Sequence, residues 1–281
     1  VKIIDAHVHY SKLTAFLDCA GQTSDVDYSF EGFSKETSEH EVVKAVCMGL
    51  SERTPGAFPD KSAATPMFAD LTEKLPPGMH LCLGINPSTL DELSLAEMEE
   101  LYKSNPRVVG TKIYAGYYHV HVYDSVYDPV YALAEKYDKT IVIHTGETYS
   151  SRGLLKYSHP LNVDELAVTH PDLRIVACHM GVPWVFDACE VAAKNPNVFL
   201  DISGMLVGNA AFVQGMSENQ LLIDRYRQAM LYLEGYSKLL YGTDWPLVPM
   251  GAYIDFCKKL VPPEAYEDVF YNNAARVYKL G

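Results

Sequence analysis

The sequence predicts a single-domain (β/α)8 TIM barrel spanning residues 1–281. Three observations lead there. Eight short β-rich runs alternate with stretches long enough for a helix. Several of the runs are nearly continuous in Val, Ile and Leu, as parallel strands covered on both faces are. No Gly-x-Gly-x-x-Gly follows the first run, which removes the usual reason to prefer an open dinucleotide-binding sheet, the alternative for such alternation.

The strand candidates, in order, are Lys2–His7, Val42–Gly49, His80–Gly84, Val108–Tyr114, Thr140–His144, Arg174–His179, Asn197–Ile202 and Leu239–Gly242. Between the first two lies Asp18–Glu39, the longest stretch without clear periodicity, expected to be a loop over the active site. Ser94 to Glu97 reads as a capping box, with Leu95, Met98 and Tyr102 on one helical face behind it. Asn105-Pro106, His170-Pro171 and Asn195-Pro196 end helices just before strands four, six and seven. Further helices are expected from near Pro129, from near Trp184, over roughly Glu218 to Glu234, and from Pro262-Pro263 to near Tyr278.

Composition bounds the function. Apolar residues make up 48% and charged residues 21%, ordinary for a globular protein. A net charge of −13 disfavours a phosphate backbone, so nucleic acid is not an expected partner. A small-molecule substrate, even an anionic one, stays compatible, because a bound cation dominates the field beside it. The six cysteines form no CxxC pair, and Cys47, Cys82 and Cys178 lie in apolar runs, which points to buried free thiols in a reducing, cytoplasmic setting. The chain passes straight into a strand, so no signal peptide is expected, and no apolar run approaches the ~18 residues of a membrane span. The tyrosine-rich stretch Tyr114–Tyr131 is a possible interface of a homo-oligomer.

In a barrel, catalytic residues gather at the C-terminal ends of the strands. Strand one ends in Asp5-Ala-His7-Val-His9, strand five in His144-Thr-Gly-Glu147, strand six in His179-Met-Gly, and strand eight in Thr243-Asp244-Trp-Pro, while strand four carries Lys112. Only 10 of 281 residues are His, so this clustering is not chance. Residues i and i+2 of a strand point to one face, so His7 and His9 project together. Imidazoles with a carboxylate such as Asp244 suit one divalent ion, zinc first, with manganese or iron also served by the same donors. Such an ion can bring the pKa of water near ~7. Alone, a His-x-His pair, a lone His144 or an Asp in a turn has an ordinary structural explanation; the set at four strand ends does not.

The ordered combination Asp-Ala-His-Val-His (5–9), Ile-His-Thr-Gly (143–146), Ala-Cys-His-Met-Gly (177–181) and Tyr-Gly-Thr-Asp-Trp-Pro (241–246), closed by Asn272-Asn273 to Tyr278, resembles the amidohydrolase superfamily. The branch it is most similar to includes aminocarboxymuconate-semialdehyde decarboxylase and several hydrolases. The resemblance implies His7, His9, His144 and Asp244 as metal ligands. It implies Asp244 as a base and His179 as an acid/base or substrate-polarising group. It leaves Lys112 either carboxylated, bridging two ions, or a plain ammonium beside Asp244 or a substrate oxyanion.

Secondary candidates surround this set. His119 and His121 form a second His-x-His, and with Tyr118 could line the pocket; the plainer reading is a surface loop. Arg53 and Arg152, on loops after strands two and five, could hold a substrate carboxylate. Glu147 could orient His144. The expected activity is metal-dependent hydrolysis of a carbonyl compound such as an amide, lactone or ester. The alternative is a non-oxidative decarboxylase of the same branch, followed by a metal-free hydrolase or a non-catalytic binding barrel.

Overall fold

Eight parallel strands follow one another around one sheet in chain order: β1 (Ile3–Val8), β2 (Val42–Met48), β3 (Met79–Ile85), β4 (Val108–Ile113), β5 (Thr140–Ile143), β6 (Ile175–Ala177), β7 (Val198–Asp201) and β8 (Leu239–Leu240). A computed structural model describes residues 1–11, 13–50 and 75–281. The last strand returns to the first: Ala6 N–H donates to Tyr241 O, Asp244 N–H to His7 O and His9 N–H to Trp245 O. These bonds close the barrel and stitch the Asp244 segment directly onto the histidine pair.

Alternation sorts the side chains. Ile4, Ala6, Val46, Met48, Cys82, Val142, Val176 and Leu240 fill the barrel interior, while Ile3, Ala45, Leu81, Ile141, Ile143 and Ile175 face the helices. Each fully buried aliphatic contributes roughly 1.5–3 kcal/mol. The helices are α1 (Thr14–Cys19), α2 (Phe30–Glu39), α3 (Glu92–Ser104), α4 (Asp128–Lys136), α5 (Leu155–Ser158), α6 (Leu161–Thr169), α7 (Val185–Lys194), α8 (Ala210–Ser217), α9 (Gln220–Met230), α10 (Met250–Leu260) and α11 (Asn273–Tyr278). Val277 and Tyr278 of α11 join the interior cluster at the strands' N-terminal end, where Thr140 Oγ1 donates to Val277 O. The opposite end is left for chemistry.

Three local expectations are corrected. The third helix is capped three residues earlier than Ser94: Asp91 accepts from Ser94 N–H at 2.8 Å, and Ser94 Oγ accepts from Asp91 N–H at 2.9 Å. A carboxylate makes a strong N-cap, so the helix starts at the first chance. The stretch from Glu218 to Glu234 is helical from Gln220, because Asn219 caps α9 with its own side chain.

The segment 18–39, read as an unpatterned loop, carries the end of α1, a π-helical turn (Ala20–Ser24) and α2. Its helices bury only two residues each, Phe16 with Cys19 and Gly32 with Phe33, too few to show a period. This segment clamps the loop after β8. Ser24 Oγ donates to Pro246 O, and Glu36 accepts from Trp245 Nε1 at 3.0 Å and from Met250 N–H at 2.7 Å.

Tyr114, Tyr117, Tyr118, Tyr127 and Tyr131 of the tyrosine-rich stretch are buried, and Tyr123 is half-buried. The six cysteines are buried and unbridged. Among the described residues, no helix is long and apolar enough to cross a membrane.

Candidate active site

The pairing of β1 with β2 shifts register between Asp5 and Val8. Ile4 and Ala6 face the interior, but Val8 packs with the outer cluster, so the alternation inverts here. The inversion turns His7 and His9 together toward the mouth, with ring centroids 5.3 Å apart. Asp5 anchors this turn by accepting from His7 N–H, Thr243 N–H and Thr243 Oγ1.

Asp244 arrives from the other side of the closure with φ +67, a left-handed conformation rare for a non-glycine residue. Its Oδ1 lies 3.0 Å from His9 Nε2 and 3.3 Å from His7 Nε2. Neither approach has hydrogen-bond geometry: His7 Nε2 and Asp244 Oδ1 are buried without a hydrogen-bond partner among the described residues. Buried polar atoms left this way ordinarily have an ion or water to satisfy them. One ligand atom from each of His7, His9 and Asp244 lies within 4.8 Å of the others, as donors around a cation do. A second such group, His7, Cys178 and His179, is less apt, because the Lys112 ammonium already donates to Cys178 Sγ at 2.8 Å and repels a cation there.

Asp201, at the end of β7, organises both histidine strands. Its Oδ2 accepts from His7 Nδ1 at 2.9 Å, which fixes the tautomer that leaves Nε2 free for the ligand cluster. Its Oδ1 accepts from His179 N–H at 2.8 Å and from Ser203 Oγ. Burial works to raise both Asp201 and Asp244, but the neighbouring histidines, His7 foremost, hold both carboxyls below the usual carboxylate range.

Burial lowers His7, with the Lys112 charge adding to it. Burial also lowers His9, and burial with neighbouring His179 takes His144 well down. His179 is lowered to about 4 by burial. The histidines are thus neutral at physiological pH, the state a metal ligand needs.

His179 and His144 stand next to this cluster. His179 has φ +59, and its Nε2 lies 3.1 Å from His144 Nδ1. His144 Nε2 meets Glu147 O at 2.9 Å. Both ring nitrogens of His144, expected as the third histidine ligand, are therefore engaged, and it lies outside the converging group. Glu147 orients His144 through its backbone carbonyl; its side chain is exposed at the rim. Gly204 (φ +57) lets the β7 loop pass close by: a Cβ there would come within 2.6 Å of Asp244 Oδ2 and 2.7 Å of His179 Nδ1.

Above the cluster opens a cleft with an inner part of about 40 Å³ and an outer part of about 300 Å³. His9, His144, His179 and Asp244 form its polar floor, and Phe16, Tyr117, Tyr149 and Leu247 its walls. Phe16 stacks on His9 at 4.4 Å, and Tyr117 meets His144 edge-on. Lys112 of β4 borders the inner part and is the one basic side chain among the described lining residues.

Other sequence candidates do not join the cleft. Tyr118 is buried beside it while Tyr117 takes the wall position. His119 is bonded to Arg152 O and stacked on Tyr157, and Arg152 is exposed. Arg53 lies outside the described residues. Asp201, Ser203, Phe16 and Tyr117 were not singled out from sequence. Asp201 had a readable signal, an acidic residue at the C-terminal end of a strand.

A barrel with His-x-His, His, His and Asp at its strand ends is an enzyme of the amidohydrolase type. The chain belongs to the amidohydrolase family, whose model matches residues 4–280. A curated relative, L-fucono-1,5-lactonase from Burkholderia ambifaria, is 28% identical over 131 residues. That match covers 40% of this chain and 43% of the lactonase, so the chain aligns with less than half of that relative. An uncharacterised TIM-barrel protein from Bordetella bronchiseptica superposes with a TM-score of 0.70 at 21% identity over 99% of both chains. A 5-carboxyvanillate decarboxylase from Novosphingobium aromaticivorans, with bound manganese, superposes at 0.65 with 14% identity over 99% of this chain and 97% of its own. Enzymes of the family are generally metal-dependent and act on small molecules.

Proposed function

We propose that this chain is a metal-dependent hydrolase that opens a carbonyl compound, a lactone or related ester, with His7, His9 and Asp244 holding one divalent ion, zinc before manganese or iron. The observation that carries this reading is the convergence of those three side chains with His7 Nε2 and Asp244 Oδ1 unpartnered beneath the cleft. When bound, the ion supplies Lewis acidity to a water and to the substrate carbonyl. Asp201 keeps His7 in the tautomer with Nε2 free. Asp244, with Oδ2 4.0 Å from His179 Nδ1, takes the proton of the attacking water, and His179 returns one to the leaving oxygen. Aromatic walls exclude water around a ring-sized substrate. The single basic group at the cleft supports a largely uncharged substrate over a polycarboxylate.

The donor set would equally serve a decarboxylase, and the Lys112 cation is the feature that favours that second reading, since it can hold a carboxylate. The test is a chelated and metal-restored preparation assayed against sugar lactones for acid release and against carboxylated phenols for carbon dioxide. Acid release that is lost on chelation and regained with zinc supports the proposal. Carbon dioxide release alone moves the chain to the lyases. Full activity with no metal removes the ion from the mechanism.

A further inference from the structure

Lys112 and Cys178 meet inside the barrel beneath the histidines. Lys112 is 1% and Cys178 0% exposed, and Nζ lies 2.8 Å from Sγ. The sulfur is the hydrogen-bond partner of this ammonium, and among the described residues no carboxylate oxygen comes within ion-pair reach of it. Burying a cation with one sulfur contact and the Tyr114 ring 5.5 Å from Nζ as its compensation is costly. Cys178 Sγ accepts from this ammonium, so a sulfur lone pair faces Lys112. The nitrogen–sulfur separation is about the span of two single bonds meeting at one oxygen.

We propose that Lys112 and Cys178 form a covalent N–O–S cross-link on exposure to peroxide, a modification site at the floor of the cleft. The inner part of the cleft, bordered by Lys112, admits a molecule the size of water or hydrogen peroxide. The first peroxide converts the Cys178 thiol to a sulfenic acid and leaves as water. The second joins the Lys112 amine to that sulfur through oxygen and leaves as two further waters. In sum, one amine, one thiol and two peroxides give one N–O–S bridge and three waters. Sulfur and nitrogen together lose four electrons and each peroxide gains two. The ammonium proton passes to solvent before the nitrogen reacts. Because the sulfur is buried and protonated, the bridge builds up on prolonged exposure.

The bridge removes the positive charge under His7, His9, His144 and His179. Turnover should therefore fall at least tenfold; this consequence rests on the function proposed above, while the bridge itself does not.

The test treats the full chain with hydrogen peroxide, denatures it without reductant and maps tryptic peptides by mass. Expected is a species joining the Lys112 and Cys178 peptides, uncleaved after Lys112, heavier than their sum by one oxygen and lighter by two hydrogens. Dithiothreitol should return both residues unmodified and restore turnover. Lys112→Arg and Cys178→Ser should each abolish the species; if either fails to fold, the wild-type map still decides. Cys178 recovered as a sulfinic acid without a link, or both residues recovered unchanged, overturns the inference. The mass map needs no turnover, so failure of the hydrolase reading is separately visible as absent acid release by the reduced protein.

Discussion

His7 Nδ1 donates to Asp201 Oδ2 across 2.9 Å, between two side chains that are both wholly buried. This bond decides which nitrogen of His7 is left for chemistry. Asp201→Asn keeps the shape and an acceptor but removes the charge. It should weaken metal affinity about 10–100-fold while leaving the fold intact. Competition against a chromophoric chelator measures it, and an unchanged affinity would show that Asp201 does not tune the site.

His7 and His179 should separate in their effects. His7→Ala removes a ligand atom, so the purified protein should lose most of its metal. His179→Asn should keep the metal but lower kcat about 10²–10⁴-fold, the usual range for an acid–base group. Elemental analysis beside steady-state kinetics reads both. Full metal content in His7→Ala or in Asp244→Ala would mean that the ion sits elsewhere.

Gly204→Ala puts a methyl group 2.6 Å from Asp244 Oδ2 and 2.7 Å from His179 Nδ1, at a φ of +57. The backbone strain alone costs about 1–3 kcal/mol. Activity should fall more steeply than stability, because the clash displaces two site residues. Denaturant unfolding and kinetics on one preparation check the difference.

Acid should destabilise the metal-free protein at an unusually high pH. His179 titrates near 6.5 when unfolded and near 4 when folded, lowered by burial. Between those values the unfolded chain binds more protons, so stability falls as pH falls across that window. Burial lowers His7, His9 and His144 too, and each acts in the same direction, while Asp5, raised to about 7 by burial, opposes them. The depressed carboxyls of Asp201 and Asp244 continue the loss below the ordinary carboxylate pKa. A melting temperature that stays flat from pH 7 to about 4.5 would contradict this sign.

Some of the site was legible before any fold was in hand. Alternation of apolar runs with helical stretches located all eight strands, and His7, His9 and Asp244, which converge in the fold, all lie at strand ends the sequence marks. The capping box was misplaced because Ser94 serves as the third residue of a box begun by Asp91. The segment 18–39 reads as a loop because its short helices bury too few residues to show a period, although Glu36 and Ser24 hold the loop that carries Asp244.

By itself, the sequence determined the barrel, the His-x-His pair on one face and the strand ends that supply Asp244, His144 and His179. These follow from periodicity, which is local. The tertiary structure decided the rest. It chose which histidine nitrogens are free, set Asp201 against His7, placed Tyr117 rather than Tyr118 in the wall, and brought Lys112 onto Cys178. Those pairings join residues tens to hundreds of positions apart. Only barrel closure and the register shift in β1 determine their distances, and neither leaves a periodic trace in the chain.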